Sequence, residues 1–268
     1  MRYFFHIAYH GYRYRGWQRQ DEVSSVQEVI EDALGRVLKE PTTIYGCGRT
    51  DAKVSASQYF FHIDTLQQWD YDLVFRLNKV LPHDIAVFEI IPAENDQHAR
   101  YSVSQRTYDY FIHTYKDPFL AEMSSMYLLE NLDFENMKAA VALLPKYDDY
   151  RVFCKSPDKH NHTKCVVSQA QLFRDASGDR FRFQISANRF LKCMIRMLMG
   201  KILDIGKGES TVAEFEHSLR TQEAPMYLLP AHPQGLYLSK VSYPFLDIAP
   251  RTEFNSMLAN KSVEWLPV

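Results

Sequence analysis

Residues 46–64 read GCGRTDAKVSASQYFFHID. The aromatic-rich run Ser57–Asp64 predicts a strand, and Thr42–Cys47 predicts a partner strand before it. Between them lies a Gly-Arg-Thr-Asp turn. A carboxylate on such a turn is ordinarily a turn former. Gly46 and Gly48 free the backbone, so that something can approach closely. Arg49 stands near enough to pair with a carboxylate or to grip a phosphate with two N–H groups. Two flanking strands would also hold the loop rigid, which a reacting side chain needs.

Working outward, Tyr3–His10 alternates and reads as a strand. Ser25 and Glu28 read as a capping box, and Val26, Val29, Ile30, Ala33, Leu34, Val37 and Leu38 form one helical stripe that stops at Pro41. Asp72–Leu81 reads as a helix ended by Pro82, and Ile85–Ile91 and Arg106–Thr114 read as strands. This β-α-β-β-α-β-β order is the ferredoxin-like split pattern with one strand added. Later come a helix at Asp133–Leu144, strands at Cys165–Phe173 and Arg180–Ser186, a long helix over Arg189–Ile205, a short helix at Val212–Leu219 and a strand at Leu236–Tyr243. The expected fold is α+β: two ferredoxin-like-related halves, residues 1–115 and 116–268, with mostly antiparallel sheets joined around a central cleft.

The 268-residue chain has a formal net charge of −2, which gives no bulk signal for a polyanionic partner. The charges are nevertheless segregated. Arg2, Arg13, Arg15 and Arg19 precede the first acid, Asp21, and Arg180, Arg182, Arg189, Lys192, Arg196, Lys201 and Lys207 face only Asp204 over 180–207. Such segregation either builds one basic face or averages out as solvated surfaces, and the pattern alone leaves both open. Four cysteines without regular spacing make no disulfide framework. No stretch approaches the roughly 18 apolar residues of a membrane span, and the start of the chain is too short and too alternating for a signal peptide. A cytoplasmic, reducing setting is expected.

GCGRTDAKVSA resembles the signature Gly-x-Gly-Arg-Thr-Asp-Ala-Gly-Val-His-Ala of the tRNA pseudouridine synthase A family. YHGYRYRGWQRQ with SVQEVIEDAL, then LPHDIAV, HARYSVSQRTYDYFI, ANRFLKCMIRMLMG and QGLYLSKVSYP, are similar to further family blocks in the same order. The resemblance implies the pseudouridine synthase fold and isomerisation of uridine in tRNA, in the anticodon stem-loop at tRNA positions 38–40, without cofactor, nucleotide or metal. It implies Asp51 as nucleophile, Arg196 as the cation that keeps it ionised, and Tyr108 as the aromatic wall and proton acceptor. Arg49 would fill the space left by a flipped base. Gly48, Thr50 and Leu236 would line the pocket. Lys53, Arg13, Arg15, Arg19, Arg182, Arg189 and Lys192 are the candidates for RNA contact, and a homodimer is expected.

Three departures qualify the match. His10 stands where the family carries an acid, and Lys53 and Ser55 replace the Gly and His of the signature. The last two lie beside Asp51, so they put the choice of uridine, rather than the chemistry, in question. YDDYRVF, residues 147–153, also differs from the usual segment. The competing readings are an RNA-binding relative that has lost catalysis and a zinc hydrolase built on Cys154, His160, His162 and Cys165. The spacing of those four fits no common structural zinc pattern.

Overall fold

Strand β1 (Arg2–Tyr9) buries Phe4 and Phe5, neighbours that point to opposite faces, and so sits inside its sheet. The computed structural model describes residues 1–129, 131–250 and 266–267, and the chain divides into two compact units. The first comprises Met1–Ser104 and the segment that begins at Tyr237. In it β1 pairs antiparallel with β3 (Ser55–Asp64) and with β4 (Ile85–Ala93). β2 (Tyr45–Gly46) adds two antiparallel residues to β3, and β9 (Leu236–Ser242) runs parallel to β3 through Ser55–Tyr237 and Ala56–Leu238.

Helix α1 (Val26–Leu38) buries Val26, Ile30, Ala33, Leu34 and Leu38, five of the residues in the periodic stripe. Its Ser25 hydroxyl accepts the Glu28 N–H, but the expected reciprocal bond is absent from the cap, and Glu28 lies 4.0 Å from Arg19. α2 (Leu73–Val80) starts at Asp72, whose carboxylate accepts the Phe75 N–H at 2.8 Å.

The second unit holds Gln105–Leu236. β5 (Gln105–His113), β8 (Arg180–Ala187) and β7 (Val167–Arg174) form an antiparallel sheet, with the two-residue β6 (Ser125–Met126) parallel beside β5 and β10 (Leu266–Pro267) outside β7. α3 (Phe134–Leu143) packs against β7, α4 (Met194–Gly206) and α5 (Val212–Thr221). A full capping box does occur here, between Thr211 and Glu214 at the head of α5. Both units are therefore α+β with mostly antiparallel pairing. Among the described residues no helix is long and apolar enough to cross a membrane.

Several expectations shift. The strand expected over Thr42–Cys47 keeps only Tyr45 and Gly46 in register. The helix expected from Arg189 begins at Met194, because Cys193 takes a left-handed backbone (φ 60°) that a helix cannot pass through. Phe190 and Leu191 continue the apolar period and hide that break. The units also differ from the expected halves: β5 goes with the later unit, and the strand after Tyr237 returns to the earlier one.

Candidate active site and nucleic-acid interface

The turn at residues 47–54 in the first unit is fixed by its own backbone and by two buried phenols. The Tyr59 hydroxyl donates to the Gly48 carbonyl at 2.6 Å and accepts the Gly48 N–H at 3.4 Å. Burial pushes the Tyr59 phenol well above its ordinary pKa, so it stays protonated and remains a donor. The Tyr9 and Thr50 hydroxyls bond at 2.8 Å. Thr50 O receives the Trp17 N–H at 3.2 Å, and Tyr14 O receives the Lys53 N–H at 3.0 Å. Cys47 N–H reaches back to Phe60 O at 2.8 Å. With Thr50 drawn inward, its neighbours turn outward: Arg49 is exposed and Asp51 half-buried.

Close packing replaces the role expected for glycine. A Cβ on Gly46 would lie 2.2 Å from the Tyr59 hydroxyl oxygen and 2.6 Å from the Trp17 ring, so that glycine admits the protein's own core, not RNA. Gly11 and Gly16 do the same for the segment that straps the loop. Their Cβ atoms would meet Val54 O at 2.0 Å and Thr50 O at 2.4 Å, and Gly16 has φ +95°.

The candidate cations of this unit divide. Arg13 and Arg15 are exposed, alternating with the buried Tyr14 and Gly16. Arg19 is held by Glu31 at 3.1 Å, which raises its pKa. Arg49 Nε donates to Gln18 Oε1 at 3.0 Å. Lys53 is exposed, and its ammonium stands 4.8 Å from the centre of the Tyr12 ring.

In the second unit Tyr108, on β5, is buried and meets Phe190 edge-on at 5.1 Å. Arg196 projects from α4 half-buried, and its Nε donates to Ala231 O at 2.7 Å while Ala231 N–H donates to Arg196 O at 2.8 Å. Gly200, one turn on, makes this strap possible, since a Cβ there would lie 2.0 Å from Leu229 O. Nearby, burial and then the Arg196 charge lower the His232 pKa. Leu236 is buried at the start of β9. Arg189 bonds His162 Nε2 at 3.0 Å, and Lys192 is exposed. Arg182 corrects the expectation of RNA contact. Its side chain is 13% exposed, pairs with Asp109 at 3.6 Å and lies over the Phe173 ring at 4.4 Å, so it serves the sheet.

The chain is 35% identical over 91% of its length to a tRNA pseudouridine synthase A of Porphyromonas gingivalis, 97% of which is covered. It is 37% identical to the one of Parabacteroides distasonis (91% of this chain, 96% of that one) and 31% identical to the one of a Nostoc species (94% and 89%). A family model described as tRNA pseudouridine synthase matches residues 141–244. The chain belongs to the tRNA pseudouridine synthase A family.

Set against the family signature, the two changed positions behave differently. Lys53 has φ +65°, in the left-handed region where glycine sits without strain and another L-residue costs roughly 1–2 kcal/mol. Ser55 is 1% exposed, and its hydroxyl accepts the Gly11 N–H at 2.9 Å, so it pins the strap and touches no solvent. Sequence reasoning misses Tyr9, Gly11, Gly16 and Trp17, whose signal is the alternation of glycine and aromatics in YHGYRYRGW, and Tyr59, which stands in the aromatic run SQYFFHID. As for zinc, among the described residues no three His, Cys, Asp or Glu side chains gather as ligands. Burial pushes the Cys165 thiol up to about 12 and raises that of Cys154.

Proposed function

We propose that the protein isomerises uridine to pseudouridine in tRNA with Asp51 as nucleophile. Membership of the family supports the reaction, and one observation carries the residue: a half-buried carboxylate on a loop pinned from both sides by Tyr9, Tyr59 and the 11–17 strap. The carboxylate oxygen attacks either ribose C1′ or uracil C6. The C1′–N1 bond breaks, the uracil rotates, a C1′–C5 bond forms, and the bond between the carboxylate oxygen and C1′ or C6 breaks to free Asp51. The C5 proton leaves and N1 takes one up, so the atoms balance and no co-reactant is consumed. Arg196 keeps the carboxylate ionised against the pull of desolvation. Tyr108 stacks on the base and assists proton removal from C5. Gly48, Thr50 and Leu236 line the pocket.

Extruding the target base costs a few kcal/mol, offset by stacking in the pocket and by Arg49 in the vacated space. Arg13, Arg15, Arg19, Arg189 and Lys192 meet the RNA backbone, giving strong salt dependence. The reading includes the anticodon stem-loop as target, a homodimer working in the cytoplasm, and two related ferredoxin-like halves with sheets joined around an RNA-binding cleft.

The test uses tRNA tritiated at uridine C5. Wild-type protein releases tritium to water, and Asp51→Ala reduces release by at least about 10³-fold while still binding tRNA. Silence from both on bulk tRNA leaves the RNA-binding reading or a synthase acting on a different RNA. Mapping pseudouridine in total RNA with and without the protein then names the sites.

A further inference from the structure

Two of the positions at which the chain leaves its family pattern converge on one ring. His10 lies 6.3 Å from Tyr12 with its ring inclined by only 22°, and the Lys53 ammonium stands 4.8 Å from the same ring. We propose that His10, Tyr12 and Lys53 form a phosphate-binding stack that grips the RNA backbone at the reacting nucleotide. The inference rests on the tRNA reading above and adds a specificity-determining contact to it.

Position is the first argument. Lys53 N–H donates to Tyr14 O, and Val54 N–H donates to Asp51 O at 3.2 Å, so the Lys53 backbone is locked two residues from the nucleophile. Two residues span at most about 7 Å, which is one nucleotide step at the RNA backbone. A cation held there meets the phosphate of the target uridine or of its immediate neighbour.

Strain is the second. Lys53 occupies a left-handed backbone where glycine would rest easily. Strained residues persist where the surroundings over-determine them, commonly at ligand clamps. The contact with Tyr12 recovers part of that strain and pre-sets a long, flexible side chain, so less freedom is lost when an anion binds. The ammonium remains exposed, and its N–H groups on the side away from the ring are available to phosphate oxygens.

Charge is the third. Arg13 and Arg15 are exposed on the same strap, while Asp84 accepts the Tyr14 hydroxyl bond at 2.7 Å and its backbone carbonyl receives the His10 N–H at 2.8 Å. Relative to the family pattern, the surroundings of Tyr12 have lost one acid and gained one cation.

The experiment compares three variants by urea unfolding, by tRNA binding across a salt series and by steady-state kinetics. Lys53→Gly unfolds at a higher urea concentration than wild type, yet its KM for tRNA rises about fivefold near 0.15 M salt and the slope of log affinity against log salt falls by about one. Lys53→Met keeps the strain and loses the charge, so it shows the same binding defect without the gain in stability. Tyr12→Leu keeps the charge without its platform and gives a smaller rise in KM. Wild-type KM and salt slope in both Lys53 variants overturn the stack. A wild-type protein that binds tRNA with these salt responses but forms no pseudouridine overturns the catalytic reading and leaves the stack standing; failure to bind tRNA overturns both.

Discussion

The Asp51 loop and the Arg196 helix both carry a half-buried charged side chain, but they are held by different means. The loop hangs on side-chain hydroxyls, Tyr59 on Gly48 and Tyr9 on Thr50, as well as on backbone contacts. Arg196 is gripped through backbone, by both polar atoms of Ala231 beside the bare Cα of Gly200. A frame of hydroxyls can be loosened one pin at a time. A frame of backbone contacts fails abruptly when a single methyl group arrives.

The largest effects should come from adding that methyl. In Gly200→Ala the new Cβ meets Leu229 O at 2.0 Å and forces the strap off α4, costing about 3 kcal/mol or more in urea unfolding. Activity should fall further than stability explains, because Arg196 loses its orienting carbonyl. Gly11→Ala, 2.0 Å from Val54 O, should cost as much in the first unit and displace Asp51. If Gly200→Ala were mild, the contrast between abrupt and graded frames would collapse.

Acid sharpens the comparison next. His62 stacks on Tyr45 of β2, the strand that leads into the loop, and burial holds its pKa at about 4. Between pH 4 and the unfolded value near 6.5 the unfolded chain binds more protons than the folded one, so stability rises with pH across that window. It is fully present above 6.5 and declines as pH falls toward 4, by roughly 2 kcal/mol after allowing for partial screening by solvent. Hydrogen exchange at pH 5 should find β2 and the loop loosened, and His62→Phe should flatten the dependence.

The smallest effects belong to the phenols. Tyr59→Phe leaves the Gly48 carbonyl without its donor and should cost about 1–2 kcal/mol, and Tyr9→Phe about 1 kcal/mol. Thermal melts check the stabilities. A drop in kcat exceeding the loss of stability would show that each pin positions Asp51 as well as supporting the fold.

What was legible in the sequence follows from range. α1 could be read because its stripe and its Ser25 cap are local, and the Arg-Thr-Asp turn because its residues are contiguous. The pins were not legible: Tyr9 and Thr50 are 41 residues apart, and a buried tyrosine looks the same in sequence whether its hydroxyl holds a loop or merely finds a partner. The basic cluster misled at Arg182, since strand alternation cannot say which cation an inward Asp109 will take. The start of α4 misled because Phe190 and Leu191 keep the helical period through a left-handed residue.

The return of β9 to the first unit has a consequence for the order in which the molecule is made. β9 lies beside β3 in the first unit, and buried Gln58 clasps the returning chain by accepting the Val241 N–H at 2.9 Å and donating to Ile248 O at 3.2 Å. All of Gln105–Leu236 is synthesised between these partners. On the ribosome, the unit that starts first therefore gains its last sheet neighbour only after Gln105–Leu236 has emerged, and the Ser55–Ala56 end of β3 waits without that parallel neighbour meanwhile. A stop codon just before residue 237 would spare most of the second unit and leave the sheet that carries the Asp51 loop unfinished.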